Sequence, residues 1–269
     1  MKNSYLFKAI FSVLESGLKF LIQVYLLGWI ALAESVYALQ PSMQNPKQTV
    51  IQQNNVNDWR KRAHEMVEQQ ITSRGIYTQK VLQMMEQTPR HLFIPSELTA
   101  YAYADLALPI GKHQTISQPY IVALMTDLLD VNSDLKVLEV GTGSGYQAAI
   151  LSPLVAHVYT IEIISSLAER ADSLLQELGY KNVTVKWGDG YAGWEDAAPF
   201  DRIIVTAAPP SIPEKLLEQL KPGGKMVLPL GKEYQKLVVV SKTLDGKVEQ
   251  TSVFPVRFVP MIHPVQPFK

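Results

Sequence analysis

A run of glycines and three acidic residues stand where an α/β protein could do chemistry. Glu139-Val140-Gly141-Thr142-Gly143-Ser144-Gly145 follows an apolar run, 136–140, and precedes a helical pattern over 146–151. Glu162 closes the next apolar run, 21 residues after Gly141, and Asp189-Gly190 closes the one after that. Glycine lets a backbone approach a ligand closely and adopt positive φ. The helix start behind such a loop offers N–H groups to an anion. A dinucleotide fingerprint would read G-x-G-x-x-G, but here the third glycine arrives one residue early. Glu139, two positions before the first glycine, would repel a pyrophosphate and attract an ammonium group.

A ligand carrying ammonium, carboxylate and nucleoside together satisfies these positions, and S-adenosylmethionine is such a ligand. Gly141, Thr142 and Gly143 would cradle it beside Glu139. Glu162 has the spacing at which an acidic residue meets ribose hydroxyls. Asp189, with Gly190, stands where a carboxylate can accept from an adenine amino group. Each has a plainer reading: a tight structural turn for the glycines, a solvated strand end for Glu162 and an Asx turn for Asp189.

The surrounding pattern supplies elements to hold them. Apolar strand patterns at 136–140, 157–162, 183–187, 201–208 and 225–230 alternate with helical ones at 146–151, 164–178 and 214–220. This alternation predicts a Rossmann-like, doubly wound, mostly parallel sheet covered on both faces. Runs 236–242 and 248–256 flank Asp245-Gly246 and predict a C-terminal antiparallel hairpin. Upstream, Asp58 is placed to cap a helix reaching Arg74, with Gly75 as its stop, and Thr78 to cap a second helix ended by Pro89. Between Arg90 and Pro119 the chain reads as a long irregular stretch, and a loop of that length in a compact domain is usually functional.

Composition narrows the field. At 269 residues, 47% hydrophobic and 19% charged, the chain can bury a core. Basic and acidic residues number 25 each, which disfavours a globally basic nucleic-acid binder. With no cysteine there is no thiolate metal site or cysteine nucleophile, and the five histidines show no metal spacing, so no metal is expected.

The N-terminus reads separately. Lys2, Lys8 and Lys19 precede the apolar run Phe20 to Ala33, and Val36 and Ala38 fit a small-residue cleavage pattern. Residues 1–38 therefore read as a secretory signal or an anchor, although the run is shorter than the roughly 20 residues a span requires. An amphipathic or buried N-terminal helix is the other reading. Residues 39–57, rich in Gln, Asn and Pro, read as a linker, which leaves 58–269 as the folded domain.

The segments VLEVGTGSGYQAA, YTIE, GDG, DRIIVTAAPP and LKPGGKMVLPLG resemble the successive motifs of class I S-adenosylmethionine methyltransferases. RGI, PRHLFIPSE, AYAD, LPIG and QTISQPYIVALM resemble, more specifically, protein-L-isoaspartate O-methyltransferases. The resemblance runs from about Met66 to Pro255. Lys112-His113 stand where that family commonly has Gly-rich residues. The resemblance implies methyl transfer from S-adenosylmethionine to the free α-carboxylate of L-isoaspartyl residues in proteins and peptides. The ester then cyclises to a succinimide, whose hydrolysis partly restores the aspartyl linkage. A carboxylate, with an ordinary pKa of about 4, is already ionised at neutral pH. Such an enzyme therefore needs orientation more than a strong base.

The resemblance places Ser117 beside the substrate carboxylate and the cofactor, as the catalytic residue. Thr115 and Ile116 are expected to add backbone contacts to the same wall. Ser117 has a structural alternative as a cap for the helix starting near Pro119.

Two other functions fit less of the sequence: a methyltransferase acting on a small molecule, and a non-catalytic exported binding protein that kept the fold. A monomer is expected. Cofactor supply favours a cytoplasmic domain; the periplasm, or a membrane held through residues 18–38, is the alternative.

Overall fold

The computed structural model describes residues 58–264. The signal-like segment and the linker lie outside the described residues.

Residues 58–66 form helix α1, which continues through a π turn, Val67–Ile71, and a 3-10 turn, Thr72–Arg74. Asp58 is already inside this helix, so it does not cap it. Gly75 ends it with φ +91°. Helix α2, Gln79–Gln87, starts after Thr78, whose hydroxyl donates to Asp127 instead of capping the helix.

The stretch expected to be irregular contains 3-10 turns at Arg90–Phe93 and Ser96–Tyr101. A small hairpin follows, β1 Leu108–Gly111 and β2 Gln114–Ile116. Its turn residues Lys112 and His113 have φ +53° and +58°. Two-residue hairpin turns of this kind favour Asn and Gly, which is why Lys-His gave no turn signal. Helix α3 is Pro119–Leu129.

Thereafter strands and helices alternate as expected. They are β3 Lys136–Val140, α4 Tyr146–Leu151, β4 His157–Glu162, α5 Ser165–Glu177, β5 Val183–Trp187, β6 Phe200–Val205, α6 Glu214–Gln219, β7 Leu220–Leu230, β8 Gln235–Lys242 and β9 Val248–Val256. They form one seven-stranded sheet in the order β5-β4-β3-β6-β7-β8-β9. The first five strands in that order are parallel and the last two antiparallel. Parallel order requires cover on both faces. Val137, Ile204 and Val227 accordingly pack with residues of α1–α4, whereas Leu138, Ile203 and Met226 pack on the other face with Leu216 of α6.

One strand is longer than its sequence suggests. β7 begins at Leu220, and the register jumps from Phe200↔Leu220 to Arg202↔Lys225. The Pro222-Gly223-Gly224 segment, which reads as a loop, is therefore a bulge within the strand, the setting in which proline is tolerated inside a sheet. Among the described residues, no helix is long and apolar enough to cross a membrane.

Candidate active site

The strand order reverses at β3, whose neighbours β4 and β6 are both parallel to it. Ligands of open α/β sheets bind at the carboxyl ends of strands at such a point. The loop after β3 lies there. Gly141 takes φ +101°, and a Cβ on it would come within 2.4 Å of Thr206 Oγ1. Thr206 follows β6 and donates its hydroxyl to the Gly141 carbonyl at 2.6 Å. Thr142 and Thr160 hydroxyls meet at 2.7 Å beneath the loop.

Glu162 is the loop's strut. Its Oε2 accepts from Gly143 N–H at 2.8 Å and its Oε1 from Ile164 N–H at 3.0 Å. It is buried, and burial raises its pKa against these backbone donors. It is therefore not a solvated strand end. The expectation that loop amides await an anion does not hold for three of them. Gly143 N–H is spent on Glu162, Gly145 N–H on the Thr142 carbonyl and Tyr146 N–H on Ser144 Oγ. Helix α4 behind them is only six residues long.

Glu139 is fully buried in β3, with Thr160 and Ile204 opposite it in the sheet. Neither carboxyl oxygen has a hydrogen-bond partner among the described residues. Burial pushes its pKa up to about 8; the nearby Thr160 side chain opposes this and the neighbouring Glu162 charge adds to it. A buried, unpartnered carboxyl is costly. Since it lines a cavity, it fits a ligand that brings its own ammonium group.

That cavity is lined by Glu139, Gly141, Thr142, Gly143, Glu162 and Gly190 on the sheet side, and by Thr115, Ile116 and Ser117 on the other. The structure thus brings together every site residue expected from sequence except Asp189, which does not line the cavity. The Asp189 Oδ1 accepts from Tyr191 N–H at 2.9 Å, so the Asx-turn reading is the one its geometry supports. Its Oδ2 lies 3.9 Å from His263 Nδ1, and His263 stacks on Tyr191.

Two parts of the wall escaped the sequence reading. Thr206 carried a signal, since it stands at the carboxyl end of a buried strand. Val259 to Ile262 carried none. They are held by hydrogen bonds in both directions with the backbone of Ala208, each 2.8 Å long. Among the described residues, no cluster of three His, Asp or Glu could hold a metal ion.

A second, more open cavity lies beyond Ser117. It is lined by Ala107, Ile121, Phe254, Phe258 and Arg257 among others, and shares Thr115, Ser117, Thr206 and Val259 with the first. Helix α3 is capped at Gln118 without any side-chain bond, which removes the cap alternative for Ser117. The Ser117 carbonyl accepts from Arg90 Nη2 at 2.7 Å.

A mostly parallel sheet with this loop at its switch point, an acidic strut at the end of β4 and a buried carboxyl beneath defines a class I S-adenosylmethionine-dependent methyltransferase. Similarity to known proteins narrows the class. The family model for protein-L-isoaspartate(D-aspartate) O-methyltransferase matches residues 61–266. Protein-L-isoaspartate O-methyltransferase of Gloeobacter violaceus is 52% identical over 198 residues, which cover 73% of this chain and 96% of that relative. Protein-L-isoaspartate O-methyltransferase 2 of Syntrophobacter fumaroxidans is 56% identical over 184 residues, 68% of this chain and 74% of that one. A solved protein-L-isoaspartate O-methyltransferase aligns with a TM-score of 0.67 at 26% identity, covering 75% of this chain and 65% of its own. A Plasmodium falciparum protein solved with S-adenosyl-L-homocysteine shares the fold, with a TM-score of 0.65 at 24% identity, covering 74% of this chain and 98% of its own. The chain belongs to the protein-L-isoaspartate(D-aspartate) O-methyltransferase family.

Proposed function

We propose that the protein methylates the free α-carboxylate of L-isoaspartyl residues in proteins and peptides, which starts their repair through a succinimide. The observation that carries this reading is the junction of the two cavities at Ser117 and Thr115. When bound, S-adenosylmethionine supplies a methyl group activated by its sulfonium. Glu139 holds its ammonium group and Glu162 its ribose, while Gly141 and Gly190 leave room for it. From the second cavity the isoaspartyl carboxylate meets Ser117, whose hydroxyl donates to one oxygen and leaves the other to attack. No proton has to be removed from a carboxylate at neutral pH, so the site works by orientation.

The test is transfer of labelled methyl to paired peptides containing L-isoaspartate or L-aspartate. Methylation of the first alone is expected, with Ser117→Ala lowering kcat by about 10- to 1,000-fold, as for other preorganised donors, and leaving cofactor affinity within a few-fold. Equal methylation of both peptides, or a fully active Ser117→Ala, would overturn the reading.

The protein acts as a monomer in the cytoplasm, where its cofactor is made. Sedimentation of the purified chain, and cell fractionation with N-terminal sequencing, test this. Recovery from the periplasm or the membrane would overturn the location.

A further inference from the structure

Arg90 is fully buried, yet no carboxylate among the described residues neutralises it. Its Nε donates to the Ala102 carbonyl at 2.8 Å and its Nη2 to the Ser117 carbonyl at 2.7 Å. Its guanidinium lies 4.9 Å from the ring centroid of Tyr146, the first residue after the glycine loop. Among the described residues, neither its Nη1 nor the Tyr146 hydroxyl makes a hydrogen bond of good geometry, although the two groups are close enough to act on each other electrostatically. Burial lowers its pKa only to about 10, so it stays charged at neutral pH. A buried, unpaired charge costs several kcal/mol, and an apolar side chain of like volume would fill the space without that cost. The planar guanidinium gives what an apolar group cannot, two donors in a fixed fork. One of them ends on the backbone of Ser117 while the face rests on the helix that follows the cofactor loop.

The next residue is held from the other direction. Gln118 Nε2 donates to Asp105 Oδ1 at 2.6 Å, and Asp105 also pairs with Arg74. Ser117 thus hangs between two anchored points, and its hydroxyl makes no hydrogen bond among the described residues. The backbone sets the direction of its Cα–Cβ bond, and so the arc the hydroxyl can reach.

We propose that Arg90 is a positioning residue for methyl transfer: it fixes the Ser117 backbone relative to Tyr146 and so aims the Ser117 hydroxyl into the junction of the two cavities. This rests on the role given to Ser117 above. A misplacement of about 1 Å at a reacting centre costs on the order of 100-fold in rate. Arg90→Lys keeps the charge and loses the fork. It is expected to lower kcat by about 10- to 100-fold, with the dissociation constant for S-adenosylmethionine unchanged within about threefold.

The deciding measurement is a double-mutant cycle on the full chain, with kcat, peptide KM and cofactor affinity read for Arg90→Lys, Ser117→Ala and the pair. If Arg90 acts through the Ser117 hydroxyl, the Lys substitution changes kcat less than about threefold once that hydroxyl is gone. Equal losses in both backgrounds, or a parallel loss of cofactor affinity, would show a merely structural role and overturn the proposal. If the Lys variant does not fold, Arg90→Gln, which removes the buried charge and keeps an NH2 donor, enters the same cycle. A fully active Ser117→Ala single variant would instead overturn the reading of Ser117 itself, and is scored separately.

Discussion

If Glu139 holds the ammonium group of the cofactor, as proposed above, cofactor binding releases a proton. With a pKa of about 8 in the ligand-free protein, about one such group in ten is ionised at pH 7 and about one in a hundred at pH 6. An ammonium ligand requires the ionised form. The α-amino group of the ligand loses its own proton at about pH 7.8. Combining the two titrations, affinity should rise about 20-fold between pH 6 and pH 8, and binding at pH 7 should release about 0.8 proton. Calorimetry in buffers of different ionisation enthalpy reads that number directly. Glu139→Gln should bind more weakly, release no proton and lose the slope between pH 6 and 7.

The same group acts on stability with a defined sign. Its folded pKa is raised from the ordinary 4.5. Its contribution to the stability of the ligand-free fold is therefore fully present below about pH 4.5 and is lost as pH rises through about 8, by on the order of a few kcal/mol. Glu139→Gln should melt higher than the unaltered protein at pH 8 without ligand. A dissociation constant flat from pH 6 to 7.5, together with a buffer-independent enthalpy, would show that Glu139 does not titrate with ligand binding.

Three further outcomes follow from the loop and the hairpin. Gly141→Ala must place a methyl group 2.4 Å from Thr206 Oγ1 at φ +101°; a loss of about 1–3 kcal/mol in urea unfolding is expected, together with weaker cofactor binding, and an unchanged midpoint would show that the loop yields freely. Glu162→Ala removes the acceptor of two backbone amides as well as the proposed ribose contact; losing a charge-assisted bond of about 1.5–3 kcal/mol should raise the cofactor dissociation constant about 10- to 150-fold, and a change below twofold would remove it from the ligand. Lys112→Asn with His113→Gly should relieve two positive φ angles and raise stability by about 0.5–1 kcal/mol; a lower melting temperature would mean the turn gains more from its present side chains than it loses in strain.

What the sequence disclosed follows from what leaves a local trace. Buried parallel strands leave apolar runs, and a strand-to-helix turn that crowds Thr206 leaves glycine, so β3, its loop and Glu162 were legible. The hairpin β1–β2 was not, because its strands are three or four residues long and its turn is built from Lys112 and His113. The bulge in β7 was hidden because Pro222-Gly223-Gly224 has the composition of a loop and its pairing is decided by β6. The wall at Val259–Ile262 has no periodicity; its place comes from two backbone bonds to Ala208, a contact across 50 residues of chain that side-chain identity does not encode. Asp189 carried two readings because an Asx turn and a ligand carboxylate ask for the same residue, and the structure shows the turn.

The two cavities share a threshold made of Thr115, Ser117, Thr206 and Val259. One molecule with an adenosyl group at one end and an extended peptide carboxylate at the other would pass from chamber to chamber on a tether of a few atoms. Short tethers give effective concentrations in the millimolar range, and joined ligands can exceed either part alone by about 100- to 10,000-fold. The adenosyl half on its own would suit many nucleotide-using proteins. The joined molecule would fit only where both chambers open onto the same threshold, so selectivity would come from their adjacency, with no new contact required.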